Sequence, residues 1–248
     1  MKKHSTIAAL LAAGTAFASA AVTLPSEDDL LFKFDYSTNS DTPQINNTDW
    51  GWTHYGSEVP SVADGVATFT NGGPYTSSRV SFDVNNFTLS FDLGNVQNTG
   101  GNNINGGVVF AFGVSYEQTI FFVSANTTSV ALKRWDGPLT TIVEAQIDGL
   151  TSGELVKNIV ISNSDEGSFI AVNGNIVATS DEYFSSSTAL SSEICIGAVF
   201  GGGVEKLNGT LDNLSLYDVA STIPEPSAFG LLAGLGALAL VGTRRRRR

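Results

Sequence analysis

The hydrophobic positions of this chain fall into short alternating runs, which is the pattern of β-strands. In the run 88–93, polar and apolar residues alternate, so that Leu89, Phe91 and Leu93 share one face. Further apolar runs follow within 108–147 in the spacing of a β-meander, and clusters of Gly, Asn, Ser and Asp separate them. Since no long segment of the mature sequence has a helical period, the pattern predicts an all-β body.

Turn signals refine this prediction. Asn173-Gly174 stands between the apolar arms 170–172 and 176–177, which is the signature of a type I′ hairpin. The stretch from Asn95 to Gly107 is rich in glycine and asparagine and is predicted to be a loop. About a dozen strands on two sheets would bury their apolar faces against each other, so we expect a jelly-roll β-sandwich.

The N-terminus has the three parts of a secretory signal. A basic start is followed by an apolar run at 7–17 and by small residues that lead to a cleavage site between Ala20 and Ala21. We expect residues 1–20 to form a signal helix that is removed from the mature protein. A buried N-terminal helix is the alternative.

The C-terminus shows a second ordered pattern. Pro224, Glu225 and Pro226 precede an apolar stretch at 228–242, and five arginines follow. The prolines end the preceding fold, the apolar stretch is able to enter a bilayer as a helix, and the arginines favour the cytoplasmic side. The stretch has 15 residues, whereas a full span needs roughly 20, so it predicts a short transmembrane helix that anchors transiently or permanently.

This tripartite tail at 222–248 resembles the PEP-CTERM sorting signal of Gram-negative bacteria that form biofilms or produce exopolysaccharide. The resemblance implies recognition by an exosortase, a membrane-embedded cysteine transpeptidase that would cut near the Pro-Glu-Pro triplet and pass the protein outward. The implied address is the cell envelope, the outer surface or the extracellular matrix. A plain C-terminal membrane anchor is the alternative.

Composition bounds the body, which we place at residues 21–221. This length suffices for one domain with a sizeable core. Apart from the two terminal basic clusters, six lysines and arginines stand against 24 acidic residues, which gives a net charge of −18. Such a surface repels phosphate backbones, so no nucleic acid is expected as a partner. Cys195 is the only cysteine, which excludes an intramolecular disulfide, and its apolar sequence neighbours predict a buried thiol.

A second resemblance covers the body from Val130 to Tyr217. An apolar strand at 130–135, the Asn-Gly hairpin and the closing string Gly-Thr-Leu-Asp-Asn-Leu-Ser-Leu-Tyr at 209–217 resemble the second half of a laminin-G-like, concanavalin-type domain. The resemblance implies the concanavalin-like jelly roll of lectins and glucanases. A fold of this kind hosts many functions, so it does not name one.

The mature sequence offers little for catalysis. His54 is its single histidine, and a structural role is the favoured interpretation in its glycine-broken aromatic segment. The Glu-x-Asp-x-x-Glu string of jelly-roll glucanases is missing, and adjacent acids such as Asp181 and Glu182 would point to opposite faces of a strand. We therefore predict no catalytic residues and a non-enzymatic protein, with a glycoside hydrolase as the rival.

Aromatic side chains suggest glycan binding. Trp50, Trp52, Tyr75 and Trp135 have flat faces that can pack against the apolar side of a sugar ring, while neighbouring Asn and Asp residues hold its hydroxyls. Core packing is the alternative for each of them. The expected partners are therefore the exosortase, the secretion machinery and, as a hypothesis, a polysaccharide.

No cofactor is predicted, with one alternative. A jelly roll that pairs its first and last strands would bring together oxygen ligands from Asp35, Asp212 and Asn213, as a structural calcium ion requires. No loop of the sequence matches an EF-hand.

Together these patterns predict an exported, exosortase-sorted, non-enzymatic β-sandwich that contacts glycans weakly or mediates adhesion. The alternatives are a secreted glycan-processing enzyme with an unrecognised carboxylate pair and a purely structural matrix protein.

Overall fold

The alternating apolar runs become antiparallel strands that enclose one hydrophobic core. The structure is a computed structural model, and it describes residues 21–36, 44–45, 53–54, 59–70, 75–76, 80–97, 106–113, 120–135, 138–186, 191–199 and 205–222. Residues Val22–Thr222 form one compact unit. The predicted signal helix at 1–20 and the sorting tail from residue 223 onward, with its predicted helix, lie outside the described residues.

A short 3₁₀ turn (Glu27–Asp29) precedes the strands. In chain order the strands are β1 (Leu30–Asp35), β2 (Gln44–Ile45), β3 (Thr53–His54), β4 (Ser61–Ala63), β5 (Val66–Thr70), β6 (Tyr75–Thr76), β7 (Val80–Ser81), β8 (Phe87–Gly94), β9 (Gly107–Phe112), β10 (Ile120–Ala125), β11 (Ser129–Trp135), β12 (Leu139–Gln146), β13 (Val156–Ser164), β14 (Gly167–Val172), β15 (Asn175–Ser180), β16 (Ser191–Ser192), β17 (Ile194–Ile196) and β18 (Asn208–Tyr217).

The strands form two large sheets. Sheet A has the order β15-β14-β13-β8-β18-β1-β2, and β5 pairs with β18 and β4 with β5. Sheet B has the order β12-β11-β10-β9-β17-β6-β3, and β7 pairs with β16 in a small separate ladder. The chain crosses repeatedly between the two sheets, as in a jelly roll. The predicted all-β sandwich is therefore confirmed.

The core lies between the inner faces of the two sheets. Leu89, Phe91 and Leu93, which the sequence predicts to share a face, are all fully buried in it. Aromatic rings from the two sheets contact each other across the core. For example, Phe87 of sheet A stacks on Phe121 of sheet B with ring centroids 4.8 Å apart. Buried aromatic pairs of this kind stabilise a fold beyond their buried area.

The hairpin between β14 and β15 confirms the turn predicted from the sequence. Val172 pairs with Asn175, so the connecting turn has two residues. Asn173 and Gly174 have φ angles of 51° and 78°. A type I′ turn needs positive φ at both positions, and asparagine and glycine are the residues that adopt it at least cost.

One buried amide fastens the loops at the end of the sandwich. Asn163 donates to the carbonyl oxygen of Phe184 at 2.9 Å and accepts from the backbone N–H of Phe184 at 2.7 Å. Its side-chain oxygen also accepts from the Ser168 hydroxyl at 3.0 Å, and its nitrogen donates to the carbonyl oxygen of Val84 at 3.3 Å. Because Asn163 is fully buried, these bonds are needed to offset the cost of removing its amide from water.

The start of the body packs on the outer face of sheet A. The backbone N–H of Val22 donates to the carbonyl oxygen of Gly174 at 2.7 Å. Its side chain, 9% exposed, packs in a small cluster with Val160, Phe169 and Ala171. The residue two positions after the predicted signal cleavage site is thus part of the folded domain.

Candidate functional site

Strand alternation places Trp135 and Lys133 on the outer face of sheet B. Val130 and Leu132 of the same strand point into the core, so the residues between and after them point away from it. Phe122 of β10 lies directly opposite Lys133, and Leu139 of β12 lies opposite Trp135. We call the outward-facing residues Phe122, Lys133, Trp135, Leu139 and Glu144 the sheet B face.

An asparagine turn sets the geometry beside this face. Asn126, between β10 and β11, accepts from the backbone N–H groups of Thr128 and Ser129, each at 2.8 Å. The Ser129 hydroxyl then donates to Glu144 at 2.6 Å. Short side-chain loops of this type pre-organise a hairpin turn, and here they also fix the direction of a carboxylate on the sheet B face.

Lys133 is an unusual side chain for such a position because it is only 8% exposed. Burial lowers the pKa of its ammonium group, and the nearby carboxylates of Glu144 and Glu205 offset part of that shift. An ammonium group offers three hydrogen-bond donors, and the two nearby carboxylates favour its charged form. This is the type of group that orients a polar ligand on an apolar surface.

Trp135 is the one proposed glycan-contact residue that the described residues leave partly exposed. Its ring packs against an apolar cluster on the sheet B face that includes Phe122 and Cys195. The side chain is half-buried, so part of the indole remains accessible. One side of the indole therefore packs against the protein, and the other side is exposed.

The structure corrects the expectation for Tyr75. This residue is 2% exposed and lies between the sheets, where its ring centroid is 5.2 Å from that of Phe34 and 6.3 Å from that of Phe69. Its place on the two-residue strand β6 turns the ring inward, so it offers no face to a sugar. Trp50 and Trp52 lie outside the described residues.

Cys195 is fully buried on β17, as the sequence predicts. Burial, with a smaller contribution from the negative charge of Glu193, raises the pKa of its thiol to about 12. A thiol of this kind is neutral at physiological pH and is a poor nucleophile, because the thiolate is the reactive form.

A second polar cluster lies on the outer face of sheet A around Asp92. The carboxylate of Asp92 accepts from the backbone N–H of Asn158 at 2.7 Å, from Lys157 Nζ at 3.1 Å and from Asn213 Nδ2 at 3.1 Å. Asn158 and Asn213 have positive φ, and each lies where the strand register shifts. Two β-bulges therefore aim their donors at one carboxylate, which is a typical use of bulges.

The calcium hypothesis involved Asp35, Asp212 and Asn213 of this region. Asn213 binds Asp212 through both its backbone N–H (2.7 Å) and its side-chain nitrogen (3.1 Å). Burial, followed by the charge of Asp92, raises the pKa of Asp212, and the Asn213 backbone hydrogen bond and Lys157 partly oppose this.

This donor set does not fit a cation. Calcium needs oxygen atoms directed at one point, whereas Asn213 directs its side-chain nitrogen at Asp92 and Asp212, and Lys157 directs its ammonium group at Asp92. The described ranges contain no group of three or more His, Cys, Asp or Glu residues placed to hold a metal ion. Asp35 instead pairs with Lys33 at 3.6 Å.

Nothing in the local sequence pattern distinguishes Asp92, Lys157 or Lys133 as site residues. In the sequence, Asp92 is an ordinary polar position of an alternating strand. Its hydrogen-bond partners lie on strands that are distant in sequence. The asparagines at the two bulges were the available signal, because asparagine adopts positive φ more readily than most residues. His54 lies in β3, and its side chain is outside the described set.

The sorting tail is supported by comparison with known families. Residues 222–247 match the PEP-CTERM protein-sorting motif, a sorting signal of exported proteins. The match begins at the last described residue, Thr222. None of the described residues forms a helix that is long and apolar enough to cross a membrane. No curated protein has significant sequence similarity to the chain.

Solved structures with the same fold include domains of carbohydrate-active proteins. Domain 4 of AbnA, a GH43 extracellular arabinanase from Geobacillus stearothermophilus solved in complex with arabinotriose, is 15% identical with a TM-score of 0.58, over 82% of this chain and 98% of that domain. Trypanosoma rangeli sialidase in complex with sialic acid is 12% identical with a TM-score of 0.56, over 86% of this chain and 36% of the sialidase.

The receptor-binding domain of botulinum neurotoxin type G is a third similar structure. It is 12% identical with a TM-score of 0.52, over 83% of this chain and 51% of that domain. The chain thus spans about a third of the sialidase and half of the neurotoxin domain. At these identities the similarity establishes the β-sandwich fold.

Proposed function

We propose that this protein is exported, is sorted by an exosortase to the envelope or extracellular matrix of a Gram-negative-type bacterium, and acts there as a non-enzymatic glycan-binding β-sandwich. The observation that carries the address is the sorting motif at 222–247, which begins where the folded body ends. The laminin-G-like relationship of the segment 130–217 belongs to this proposal and is supported by the Asn-Gly hairpin and the long closing strand β18.

The sheet B face is the proposed glycan-contact surface. Trp135 supplies a partly exposed aromatic plane, Lys133 lies two residues before it on the same face, and Glu144 lies further along that face, opposite Ala131. Aromatic planes pack on the apolar side of pyranose rings, while polar groups hold the hydroxyls. A single plane of this size supports weak contact, which suits adhesion or retention in a matrix through many copies.

The address is tested by the intact mass and fractionation of the native protein from its own cells. We expect a species that lacks residues 1–20 and the residues after about Pro226, outside the inner membrane. If the protein instead keeps its full C-terminus and stays in the inner membrane, the tail is a simple anchor and not a sorting signal.

Glycan contact is tested by retention of the purified body on immobilised polysaccharides of different composition. We expect Trp135→Ala to lose retention while its melting temperature stays within a few degrees of the wild type. The matched control is Tyr183→Ala, another half-buried aromatic, which follows β15. Retention of the Trp135 variant at the wild-type level would remove the sheet B face from the proposal. Absence of retention in all forms would favour a purely structural matrix protein.

The enzymatic alternative has one specific feature in its favour, the carboxylate pair Asp92 and Asp212. Both accept a hydrogen bond of 3.1 Å from the same Asn213 nitrogen, and burial raises the pKa of Asp212. Glycoside hydrolysis uses two neighbouring carboxylates, one of which has a raised pKa and acts as the acid. Incubation with mixed polysaccharides, followed by an assay for new reducing ends, separates the hypotheses. Product formed by the wild type and lost in Asp212→Asn would establish the enzyme.

A further inference from the structure

One lysine and two glutamates set the local charge beside the aromatic part of the sheet B face. Burial lowers the pKa of Lys133, whereas the carboxylates of Glu144 and Glu205 are close enough to oppose this shift. Lys133 is only 8% exposed and has Phe122 directly opposite on β10. The lysine and the two glutamates together carry a net negative charge, so the lysine does not make this region positive.

The strand register places the two glutamates at opposite ends of one row across sheet B. The row consists of residues that lie directly opposite each other on neighbouring strands, namely Glu144, Ala131, Ser124 and Val108. Glu205 follows at the far end, because its carbonyl oxygen accepts from the backbone N–H of Val108 at 3.0 Å. Neighbouring strands are about 4.8 Å apart, so the row is roughly 14 Å long. A ligand that crosses it meets a carboxylate at each end.

Trp135 lies on the same face of β11, four residues after Ala131. At about 3.4 Å per residue, the indole is roughly 14 Å from the row along the strand. A glycan that packs on the indole and extends along β11 therefore approaches the carboxylates. Charges at this distance act on each other at low salt, because the Debye length is about 30 Å at 0.01 M and only about 8 Å at 0.15 M.

The rest of the body offers no compensating positive charge to a ligand anion. Apart from the two terminal basic clusters, six lysines and arginines stand against 24 acidic residues, which gives a net charge of −18. A carboxylate, sulfate or phosphate group on a glycan would compete with Glu144 and Glu205 for one ammonium group, and it would approach against this field. A neutral hydroxyl meets no such barrier. The exposed carboxylate of Glu144, held by the Ser129 hydroxyl at 2.6 Å, is a strong acceptor for it.

We propose that the sheet B face selects neutral glycans and excludes anionic ones, with Glu144 as a specificity-determining residue. A neutral chain packs its apolar side on Trp135 and donates hydroxyl groups towards Glu144, whereas an anionic chain is repelled. This inference rests on the proposed glycan contact and adds the charge class of the ligand. The opposite assignment is that Lys133 recruits an acidic sugar.

Glu144→Gln is the primary test variant, because glutamine keeps an oxygen for the Ser129 hydroxyl and loses only the charge. Glu154→Gln is the matched control. It removes the same charge from the body at an exposed glutamate that precedes β13 of sheet A. Glu205→Gln is a second variant for the case that Glu144→Gln disturbs the hairpin turn. Lys133→Gln tests the opposite assignment.

The measurement is retention on immobilised dextran, mannan and arabinan and on their carboxymethyl derivatives, at about 0.01 M and about 0.15 M salt. The body alone, residues 21–222, is used for two reasons. Residues Val22–Thr222 form one compact unit with its own core, and the arginines of the tail would themselves bind an anionic matrix. A melting curve of each variant checks that it is folded.

We expect the wild type to be retained roughly 3-fold less, or weaker still, on the carboxymethyl form of the glycan that it binds at low salt, and this difference should shrink at high salt. Glu144→Gln should raise retention on the carboxymethyl form by roughly 2-fold, as for the loss of one charge near the ligand. Retention on the neutral form should change less. The Glu154 control should have a smaller effect on both forms.

The remaining outcomes separate this inference from the proposed function. Equal or stronger retention on the carboxymethyl form at low salt would overturn the inference and leave glycan contact in place, and its loss in Lys133→Gln would establish the opposite assignment. Equal effects of Glu144→Gln and Glu154→Gln would overturn it as well, because the net charge of the body would then exclude anions without the sheet B face. No retention of the wild type on any matrix would refute the glycan-binding function and the inference with it.

Discussion

Asp92 and Asp212 lie directly opposite each other on neighbouring antiparallel strands, and the side-chain nitrogen of Asn213 donates a hydrogen bond of 3.1 Å to each carboxylate. Like charges at opposed positions of a sheet normally destabilise it. Lys157 compensates part of the charge through its 3.1 Å contact with Asp92. Burial is the main reason why the pKa of Asp212 is raised, and the remaining repulsion from Asp92 adds to it.

This arrangement predicts that Asp212→Asn gains stability relative to the wild type as the pH rises. Because the folded-state pKa of Asp212 is above its unfolded value, its contribution is fully present below about pH 3.9 and is lost as the pH rises through the folded pKa. The neutral amide retains an oxygen for the Asn213 backbone N–H and removes the repulsion from Asp92 and Asp35. Denaturant unfolding of both proteins at pH 3.5 and pH 7 measures the difference.

Asp181→Asn serves as the control for this comparison, because Asp181 is exposed in the turn after β15. If Asp212→Asn shows no more pH dependence than this control, the carboxylates do not repel each other significantly in the folded protein.

The buried thiol predicts a second, alkaline dependence. The pKa of Cys195 is about 12, against about 9 in the unfolded chain, so its stabilising contribution is complete below pH 9 and is lost between pH 9 and 12. A difference of three pKa units corresponds to a loss of about 4 kcal/mol in unfolding free energy over this pH range. Cys195→Ala should remove this part of the alkaline destabilisation, although it costs about 1 kcal/mol at neutral pH.

The same cysteine gives a direct measurement, because it is the only one in the sequence. We expect a thiol reagent to label the native protein at the rate of unfolding and to label it fully in denaturant. Rapid labelling of the native protein would contradict the buried position of β17.

The sequence predicts the sandwich well because its core strands carry their own signal. Leu89, Phe91 and Leu93 alternate, and an Asn-Gly pair requires a specific turn, so both features are local in the chain. The Asp92 network is different, since its donors come from residues 66 and 121 positions away. Tyr75 shows the same limit, because an aromatic residue on a two-residue strand has no alternation to show which way its ring points.

The Asn-Gly turn predicts a clear difference between two glycines. Gly174→Ala places a side chain at a φ of 78°, a conformation that favours glycine, so we expect a loss of about 1 kcal/mol or more in unfolding free energy. Gly153→Ala is the matched control, because a Cβ there meets no atom within 4 Å. Thermal and denaturant unfolding of the two variants would check this. Equal stability would mean that the turn tolerates another conformation.

Val22 connects the fold with the processing of the N-terminus. Its side chain packs against Val160 on the outer face of β13, and Ser162, two residues further on the same face, holds Ser221. Successive residues on one face of a strand are about 7 Å apart. The segments that lead to the two predicted processing sites therefore leave the body from neighbouring points of one strand.

The buried position of Val22 predicts that Val22→Ser destabilises the mature protein, although Val22 is the second residue of the predicted mature chain. Loss of a buried valine side chain costs about 1 to 2 kcal/mol. Leu24→Ser is the control, because Leu24 is 38% exposed and should change the unfolding free energy by less than about 0.5 kcal/mol. Both variants are compared by denaturant unfolding of protein that starts at Ala21. A neutral Val22 variant would mean that the first residues do not contribute to the fold, and that signal removal and folding of the body are independent of each other.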